Sequence, residues 1–447
     1  MEIFAYDRQD RGIGIVHFGM GAFHRAHLAA YTDDALSAAG GNWKVLGVSL
    51  RSAGVREQLR PQDGLYSLLV RSAAGSRARI VGSVADVLVA PEERDRLIEA
   101  LAAPATHIAS FTITEKGYCR APDGSLDIQL ADDRSAYPYL AAAFARRREA
   151  GLPGLTLLSC DNLAGNGAQL QRLVGKYLDA RAPRLRDWFE NECTCPSTMV
   201  DRIAPATTDA DRAEAAELLG GLRDEAAVVT EPFSQWVIED NFAGPRPSWE
   251  AQGAQLTSDV HVYETAKLRM LNGAHSALAY LGLQHGHEFV HQAMADTGLA
   301  PLIGRLMRQE AAPSIEAAPG QDLSAYAEAL LARFANPALE HRLIQIAMDG
   351  SQKVPQRWLE TLAFHQGQGR QCPAILAGIA AWLRHVRGDN IATCGPVDDP
   401  LAERLAATWE AAGKYDIVEA LFGSAGPMAS QWRPDAADRA HIAERLG

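Results

Sequence analysis

A lysine, an asparagine and a histidine lie close together in the segment ETAKLRMLNGAH, residues 264–275. With an α-helical rotation of about 100° per residue, four polar side chains fall within one sector of about 140°: Lys267, Asn272, His275 and Glu264. An amine, an amide, an imidazole and a carboxylate on one face could serve an active site. Leu271 falls in the same sector, and the spacing alone favours a solvent-facing polar stripe.

A second candidate is the turn after the first apolar run, in FGMGAFHRAHL. Gly19 and Gly21 close a tight turn before a helical pattern, and such a turn lets backbone N–H groups approach a pyrophosphate. His24 occupies the place of the third glycine in GxGxxG, so the motif is incomplete. After the second apolar run, Arg51 and its neighbours stand where an acid would bind the ribose of NAD. The residues alone therefore leave NAD and NADP both open.

A third candidate follows the apolar run LTLLSC, residues 155–160, where Asp161 and Asn162 come next. In an open α/β sheet, ligands bind at the C-terminal ends of the strands, so both side chains would lie at that edge. Asn162 could equally cap the helix that follows.

These candidates lie on a chain whose periodicity changes part-way along. Short apolar runs predict strands at 12–19, 43–50, 78–87, 106–114 and 155–160. Helical patterns lie between these runs. Such alternation is typical of a mostly parallel sheet with helical crossovers. From about Thr257 the pattern is almost wholly helical. We therefore predict an α/β domain over 1–256 and a mainly helical domain over 257–447, joined by the Gly/Pro-containing stretch 241–255.

The composition excludes several classes of protein. A chain of 447 residues suggests two or three domains, and its net charge of −12 with scattered basic residues argues against nucleic-acid and anionic membrane surfaces. No apolar run approaches the roughly 18 residues of a membrane span, and the start lacks an apolar signal core, so we expect a cytoplasmic protein. Six cysteines are too sparse for a disulfide framework. CTC at 193–195 lacks a second pair with metal-ligand spacing.

Six separated motifs together resemble the polyol-specific long-chain dehydrogenases, the mannitol dehydrogenase family. They are FGMGAFHRAH (18–27), TITEKGY (112–118), SCDNLAGNG (159–167), MVDRIAPAT (199–207), EPFSQWVIEDNF (231–242) and KLRMLNGAH (267–275). The resemblance runs from about residue 12 to about 360. Within the family it is most similar to the fructuronate reductases, through GVSLRSAGVREQL, WVIEDNFAGPRPSW and the stretch 333–357.

The resemblance implies a Rossmann-like N-terminal domain and metal-independent, NAD(H)-linked reduction of D-fructuronate to D-mannonate. It makes Lys267 the general acid/base, since alcohol oxidation needs a base for the hydroxyl proton and a lysine serves near neutral pH when burial lowers its pKa. It makes Asn162 and Asn272 the donors to the substrate oxygen. The further roles it implies are substrate orientation by His275, a proton relay through Glu264, substrate contacts by Asp201, Arg333 and His341, and cofactor contacts by Gly19, Gly21, Ala22, Phe23, Thr114, Glu115 and Lys116.

A uronate also requires a cation for its carboxylate, and a bidentate arginine is the expected device. The candidates are Arg333, Arg342, Arg357 and Lys353. Three alternatives stay open: a dehydrogenase of neutral polyols such as mannitol or arabinitol, a non-catalytic NAD(H)-binding protein, and zinc-dependent alcohol oxidation through His17, His24 and His27. We expect a small-molecule substrate and a monomer or weak homodimer.

Overall fold

The computed structural model describes residues 6–121 and 123–447. The chain divides into two compact units, one ending at His261 and the other beginning at Val262. The strands, all in the first unit, are β1 (Ile13–Phe18), β2 (Lys44–Ser49), β3 (Tyr66–Ser72), β4 (Gly75–Val81), β5 (Val84–Val89), β6 (Ile108–Phe111), β7 (Thr156–Ser159), β8 (Thr198–Asp201), β9 (Val228–Thr230), β10 (Gln235–Glu239) and β11 (Gln255–Thr257).

Helices connect the strands of the first unit and fill the second. Those before residue 260 are α1 (Ala22–Ala26), α2 (Leu28–Ala39), α3 (Gly54–Leu59), α4 (Arg94–Ala102), α5 (Thr114–Gly117), α6 (Tyr137–Glu149), α7 (Asn166–Arg181), α8 (Arg186–Glu192) and α9 (Asp209–Leu218). Those after it are α10 (His261–Ala266), α11 (Gly273–Gln284), α12 (Val290–Ala295), α13 (Leu299–Arg305), α14 (Leu323–Phe334), α15 (Leu343–Ala347), α16 (Gly350–Val354), α17 (Glu360–Gln366), α18 (Pro373–Arg387), α19 (Ile391–Cys394), α20 (Ala402–Phe422) and α21 (Ala436–Arg445).

The central sheet of the first unit is parallel and has the order β5-β2-β1-β6-β7. β1 therefore pairs with β2 on one side and with β6 on the other. The chain order reverses between β1 and β6, and ligands of open α/β sheets bind at such a switch point, beyond the C-terminal strand ends. The predicted α/β class with a mostly parallel sheet is confirmed. The first unit also contains two smaller mixed sheets, β11-β10-β8 and β4-β3-β9, which were not anticipated.

The prediction of one strand over 78–87 is wrong. The run breaks at Gly82 and Ser83, so that β4 joins a small sheet while β5 forms the edge of the central sheet. Two contacts with α2 fix the break, because Asp33 Oδ1 accepts from Gly82 N at 2.9 Å and Ser83 Oγ donates to Ala29 O at 2.7 Å. Apolar periodicity alone cannot show that two halves of one run belong to different sheets.

The second unit is built around the buried helices α11 and α18. Its apolar core runs from Ala266 to Leu446 and includes the fully buried Trp358 and Trp382. The helical class predicted for this half of the chain is confirmed. Among the described residues, no helix has the length and apolar character needed to cross a membrane.

Candidate active site

The turn after β1 requires glycine at its first position. Gly19 has a φ of +100°, and a Cβ atom placed there would lie 2.0 Å from the carbonyl oxygen of Thr112. Thr112, which follows β6, also donates from its hydroxyl to Gly19 O at 2.7 Å. The ends of the two strands at the switch point are thus joined directly. Any larger side chain at position 19 would separate them.

Gly21 serves a different purpose, because a Cβ atom there would meet nothing within 4 Å. It is the N-cap residue of α1, and Ala22 and Phe23 open that helix. The helix predicted to follow the turn without interruption is instead broken at His27, whose φ of −117° and ψ of −94° separate α1 from α2. Open space beside the cap, with backbone N–H groups exposed at the helix start, suits a phosphate group.

The segment after β6 is held in place by a buried carboxylate. Asp161 accepts from Ile113 N at 3.0 Å, from Thr114 N at 2.9 Å and from the Tyr118 hydroxyl at 2.8 Å. Burial raises the pKa of Asp161, while the Tyr118 hydroxyl and the two amides oppose that rise. Thr114 has a φ of +61°, a conformation that a β-branched residue adopts only when its surroundings impose it. Asp161 therefore sets the backbone that presents Thr114, Glu115 and Lys116 to solvent.

Asp161→Ala should lower the free energy of unfolding by about 3 kcal/mol, because the two amides and the hydroxyl lose their common acceptor. Urea unfolding measures this loss. Asp161→Asn, which keeps one acceptor oxygen, should fall between the wild type and the alanine variant. Asp123→Asn is the control, since Asp123 makes an exposed turn contact to Ser125. An alanine variant as stable as that control would contradict the anchoring role.

Three histidines lie behind the turn, and each is engaged in packing or hydrogen bonds. His17 places Nδ1 2.8 Å from Ser110 Oγ and Nε2 2.8 Å from Thr112 Oγ1. His24 stacks on His17 with ring centroids 3.5 Å apart, and His27 places Nε2 3.2 Å from Gln235 O. Among the described residues, none of the three belongs to a cluster with metal-ligand geometry. The arrangement gives the zinc alternative no support.

We predict that acid destabilises the fold, because His17 is buried in its neutral form. Burial lowers the pKa of His17 to about 3, whereas an unfolded histidine titrates near about 6.5. The unfolded chain therefore binds more protons, so the stability that neutral His17 contributes is complete above about pH 6.5 and declines as the pH falls from there toward about 3. We expect His17 to cost about 1 kcal/mol of unfolding free energy per pH unit in that range.

Urea unfolding at about pH 7.5 and about pH 5.5 measures this slope. His17→Gln should reduce the slope, because glutamine keeps polar contacts without titrating. His261→Gln, which removes an exposed histidine, should leave it unchanged. Equal slopes for the wild type and His17→Gln would show that His17 does not carry the effect.

Asn162 follows the same strand end as Asp161 and is exposed. The reading of Asn162 as a helix cap is wrong, because α7 begins at Asn166 and its N-cap residue is Gly165. Asn166 instead fixes this loop: its Nδ2 donates to Asp161 O at 3.0 Å and its Oδ1 accepts from Thr198 N at 2.8 Å.

Asp201 ends β8 and pairs across the small sheet with Gln235 of β10. Its side chain is buried, with 7% of the residue exposed. A buried carboxylate at a strand end is costly unless polar groups surround it.

In the second unit, the chain between α10 and α11 is a π-helix over Lys267–Asn272. The amide of Gly273 donates to Leu268 O, five residues back. In π-helical geometry, residues five apart lie one turn apart on the same face, so Lys267 and Asn272 are closer in direction than the α-helical wheel predicts. The assumption of an unbroken α-helix over this stretch is thus wrong, and its correction brings the amine and the amide together. Leu271 is buried in the apolar core of the unit.

The π segment is held by two residues of a second π-helix, Pro355–Leu359. Arg357 Nη1 donates to Asn272 O at 3.1 Å and to Ser276 Oγ at 2.7 Å, and Trp358 Nε1 donates to Gly273 O at 3.1 Å. Burial lowers the pKa of Arg357 to about 10. Arg357 therefore fixes the backbone at Asn272.

An aromatic ring, a second imidazole and two arginines surround His275. Its ring stacks on Phe334, with centroids 4.3 Å apart, and meets the edge of His341 at 5.3 Å. Burial, followed by His341, Arg333 and Arg357, lowers the pKa of His275 well below its ordinary value. Burial and then Arg333 lower the pKa of His341 as well. Both imidazoles are therefore neutral near pH 7.

The remaining candidate cations are occupied elsewhere. Arg342 pairs with Glu288 on the surface, where each side chain is 53% exposed. Lys353 donates to the carbonyl oxygens of Ile346 and Met348.

Glu264 lies in α10, one turn before Lys267, and both are partly buried. The second unit thus brings together the predicted Lys267, Asn272 and Glu264 on one helical stretch and His275, Arg333 and His341 in one cluster.

Sequence models of known families match both units. The model of the mannitol dehydrogenase Rossmann domain matches residues 13–251, and that of the mannitol dehydrogenase C-terminal domain matches residues 259–431. The chain belongs to the mannitol dehydrogenase family. It is accordingly an oxidoreductase that acts on a CH–OH group, and the Rossmann-like class predicted for the first unit is confirmed.

Relatives of two activities match almost equally well. The chain is 41% identical over 434 residues to the D-mannonate oxidoreductase of Escherichia coli K12, covering 93% of this chain and 88% of that protein. It is 39% identical over 437 residues to the mannitol 2-dehydrogenase of Aspergillus terreus, covering 92% and 86%. Pseudomonas fluorescens mannitol 2-dehydrogenase, solved as a ternary complex with NAD and D-mannitol, shares 33% identity with a TM-score of 0.77, covering 99% and 92%.

The sequence did not predict the positioning roles of three residues: Asp161, Asn166 and Arg357. Asp161 and Asn166 stand in the same motif as Asn162, so the motif gives their place but not their partners. The sequence made Arg357 a candidate cation for a substrate carboxylate. Its partners are instead a backbone carbonyl group and a hydroxyl group, 85 and 81 residues away. No local pattern reports such contacts.

Proposed function

We propose that this chain interconverts D-fructuronate and D-mannonate with NAD(H), without a catalytic metal. NAD supplies the hydride acceptor in oxidation, and NADH supplies the hydride donor in reduction. The observation that carries the substrate class is the buried Arg333 guanidinium, which acts on both His275 and His341. The chain as a whole bears a net charge of −12, so a buried guanidinium at this place is a local cation on an acidic background. It suits an anionic sugar acid better than a neutral polyol.

The first unit supports a dinucleotide. Gly19 and Gly21 allow a close approach of backbone N–H groups, Ala22 and Phe23 begin the helix that follows, and the turn lies at the switch point of the sheet. We assign cofactor contacts to these residues and to Thr114, Glu115 and Lys116, which Asp161 presents at the neighbouring strand end. Arg51 is exposed after β2, so NADP remains a cofactor to be tested beside NAD.

Lys267 is the proposed general acid/base. In oxidation its neutral amine takes the hydroxyl proton as the hydride leaves the same carbon, and in reduction its ammonium group returns that proton to the forming alkoxide. The charge of the substrate oxygen changes during the step, so donors that favour the oxyanion lower the barrier. We assign that role to Asn272, which shares a face with Lys267, and to Asn162 of the first unit.

The other polar residues have supporting roles in this proposal. Glu264 stands one turn from Lys267 and passes the proton to or from water. His275, neutral and stacked on Phe334, orients a substrate hydroxyl group by a hydrogen bond. Asp201 accepts from a substrate hydroxyl. Arg333 binds the substrate carboxylate, because it is the cation that acts on both His275 and His341, and His341 stands beside it with a buried Nδ1 atom that has no hydrogen-bond partner among the described residues.

The test is a comparison of kcat/KM for D-mannonate and D-mannitol, with NAD⁺ and with NADP⁺, and for D-fructuronate with NADH. D-Mannonate should be preferred by at least about 30-fold, the equivalent of about 2 kcal/mol for one buried ion pair. A preference for mannitol would overturn the uronate assignment. Absence of turnover with every sugar acid and polyol would favour a non-catalytic NAD(H)-binding protein.

The alternative substrate class is the neutral polyols, mannitol or arabinitol. It is favoured by the mannitol 2-dehydrogenase relatives, which match this chain about as well as the D-mannonate oxidoreductase does. The same residues would then carry out the hydride and proton transfers, and Arg333 would donate to a distal hydroxyl group. The kinetic comparison distinguishes the two classes without any change in the chain.

A further inference from the structure

Two histidines and a carboxylate converge just beyond the C-terminal end of α11. His285 Nδ1 lies 3.0 Å from Asp296 Oδ2, and His287 Nε2 lies 3.1 Å from the same oxygen. Among the described residues, this is the group of three His, Cys, Asp or Glu side chains whose ligand atoms all lie within 4.8 Å of one another. The proposed dehydrogenase reaction does not use any of them.

The backbone fixes both imidazoles. His285 N donates to Leu281 O at 3.1 Å and His287 N to Gly282 O at 2.9 Å, which closes the end of α11. Gly286 between them has a φ of +79°, the left-handed conformation that makes this tight closure available. The two rings therefore leave the helix end from a defined turn and not from a long loop.

The carboxylate is oriented as well. Asp296 Oδ1 accepts from Gly298 N at 2.8 Å and from Leu299 N at 3.2 Å, at the start of α13. This leaves Oδ2 directed at the histidines. Hydrogen bonds from His285 and then His287 hold the pKa of Asp296 below its usual range, so the carboxylate is ionised at neutral pH.

We propose that His285, His287 and Asp296 bind one divalent zinc-type ion, with water as the fourth ligand. Two imidazoles and one carboxylate form a common ligand set for zinc. A tetrahedral ion with bonds of about 2.0–2.1 Å places its ligand atoms about 3.3 Å apart, close to the two observed separations of 3.0 and 3.1 Å. The ion would replace the hydrogen atoms that now lie between the two imidazole nitrogens and Asp296 Oδ2. Mg²⁺ and Ca²⁺, which prefer all-oxygen sites, would not compete.

This metal site is distinct from the proposed catalytic lysine. Asn272 and His285 are separated by α11, about 20 Å long at 1.5 Å per residue. The site instead joins the end of α11 to the start of α13. The segment between them is also paired with the chain around His341, through Val290 N to His341 O at 3.0 Å and Leu343 N to Glu288 O at 2.9 Å. A bound ion would thus stabilise this part of the second unit.

The experiment is a zinc titration of the full chain, free of any histidine tag and stripped with chelator, against a chromophoric competitor. One Zn²⁺ per chain should bind, the thermal unfolding midpoint should rise with Zn²⁺ but not with Mg²⁺, and Co²⁺ should give the visible absorption of a tetrahedral site. The double variant His285→Gln/His287→Gln should bind at least about 100-fold more weakly, since even losses outside the ligand shell cost about 10- to 100-fold. Dehydrogenase activity should persist in that variant and with chelator present.

Two matched variants complete the test. Asp296→Asn keeps an oxygen for the Gly298 and Leu299 amides but removes the charged ligand atom, so it should lose zinc and remain folded. His291→Gln removes a histidine of the same segment, which stacks on Phe289 at 5.7 Å, and should bind zinc as the wild type does. Equal zinc affinity in the wild type and the double variant would overturn the proposal, as would loss of binding in His291→Gln alone. A fall in activity caused by chelator alone would instead count against metal-independent catalysis.

Discussion

Replacing Lys267 by methionine should lower kcat by about 10²- to 10⁴-fold, the usual contribution of a general acid or base. Methionine has a similar length and keeps the apolar part of the side chain, but it cannot exchange a proton. Because Lys267 is partly buried on a π-helix whose neighbours Met270 and Leu271 are core residues, the fold should survive. NADH binding, measured by fluorescence titration, should stay within about threefold of the wild type.

Lys353→Met is the matched control. Lys353 is a partly buried lysine of the same unit, and it donates to two carbonyl oxygens near α15. Its loss should cost stability and leave the chemical step largely intact. In Lys267→Ala, added small amines should restore part of the turnover, with an efficiency that follows their basicity. Turnover near wild type in Lys267→Met, or an equal loss in Lys353→Met, would remove Lys267 from the mechanism.

The alternation of strands and helices was predictable because it depends on local periodicity. β1, β2, β6 and β7 lie within the predicted apolar runs, and the chain from α10 onward is helical as predicted. A switch point beside β1 then follows from the general topology of parallel sheets. What periodicity could not predict was the division of 78–87 between two sheets, since that depends on contacts with Asp33 and Ala29 elsewhere in the chain.

The π-helix at Lys267 shows a second limit. Its sequence, KLRMLN, is a good α-helix former, and nothing in it demands hydrogen bonds to the fifth preceding residue. The conformation is supported instead by Arg357 and Trp358, which bind the carbonyl oxygens of Asn272 and Gly273 from a helix more than 80 residues later. π-Helical turns occur often at functional sites, where they rotate side chains relative to the regular helix. The sequence indicated which residues could form the site, but it could not predict the relative directions of their side chains.

Arg333→Gln should lower kcat/KM for D-mannonate by about 30-fold or more, because removing one partner of a buried charge pair costs about 2–5 kcal/mol. Arg333 is 7% exposed and lies at the end of α14, next to the Phe334 ring that supports His275. Glutamine retains donors for a hydroxyl group but cannot bind a carboxylate as an ion pair. The loss should therefore appear mainly in KM for the sugar acid, while any activity on mannitol should change by less than about threefold.

The matched control is Arg342→Gln, which removes an equal charge from a surface pair with Glu288. Exposed pairs contribute about 0–1 kcal/mol, so this variant should resemble the wild type with both substrates. The comparison separates a local interaction from a general change in net charge, because the two variants have the same charge. Equal losses on mannonate and mannitol in Arg333→Gln would mean that Arg333 shapes the site without recognising a carboxylate. In that case the Arg333 guanidinium beside His275 and His341 would no longer favour a sugar acid, and the neutral polyols would become the better substrate class.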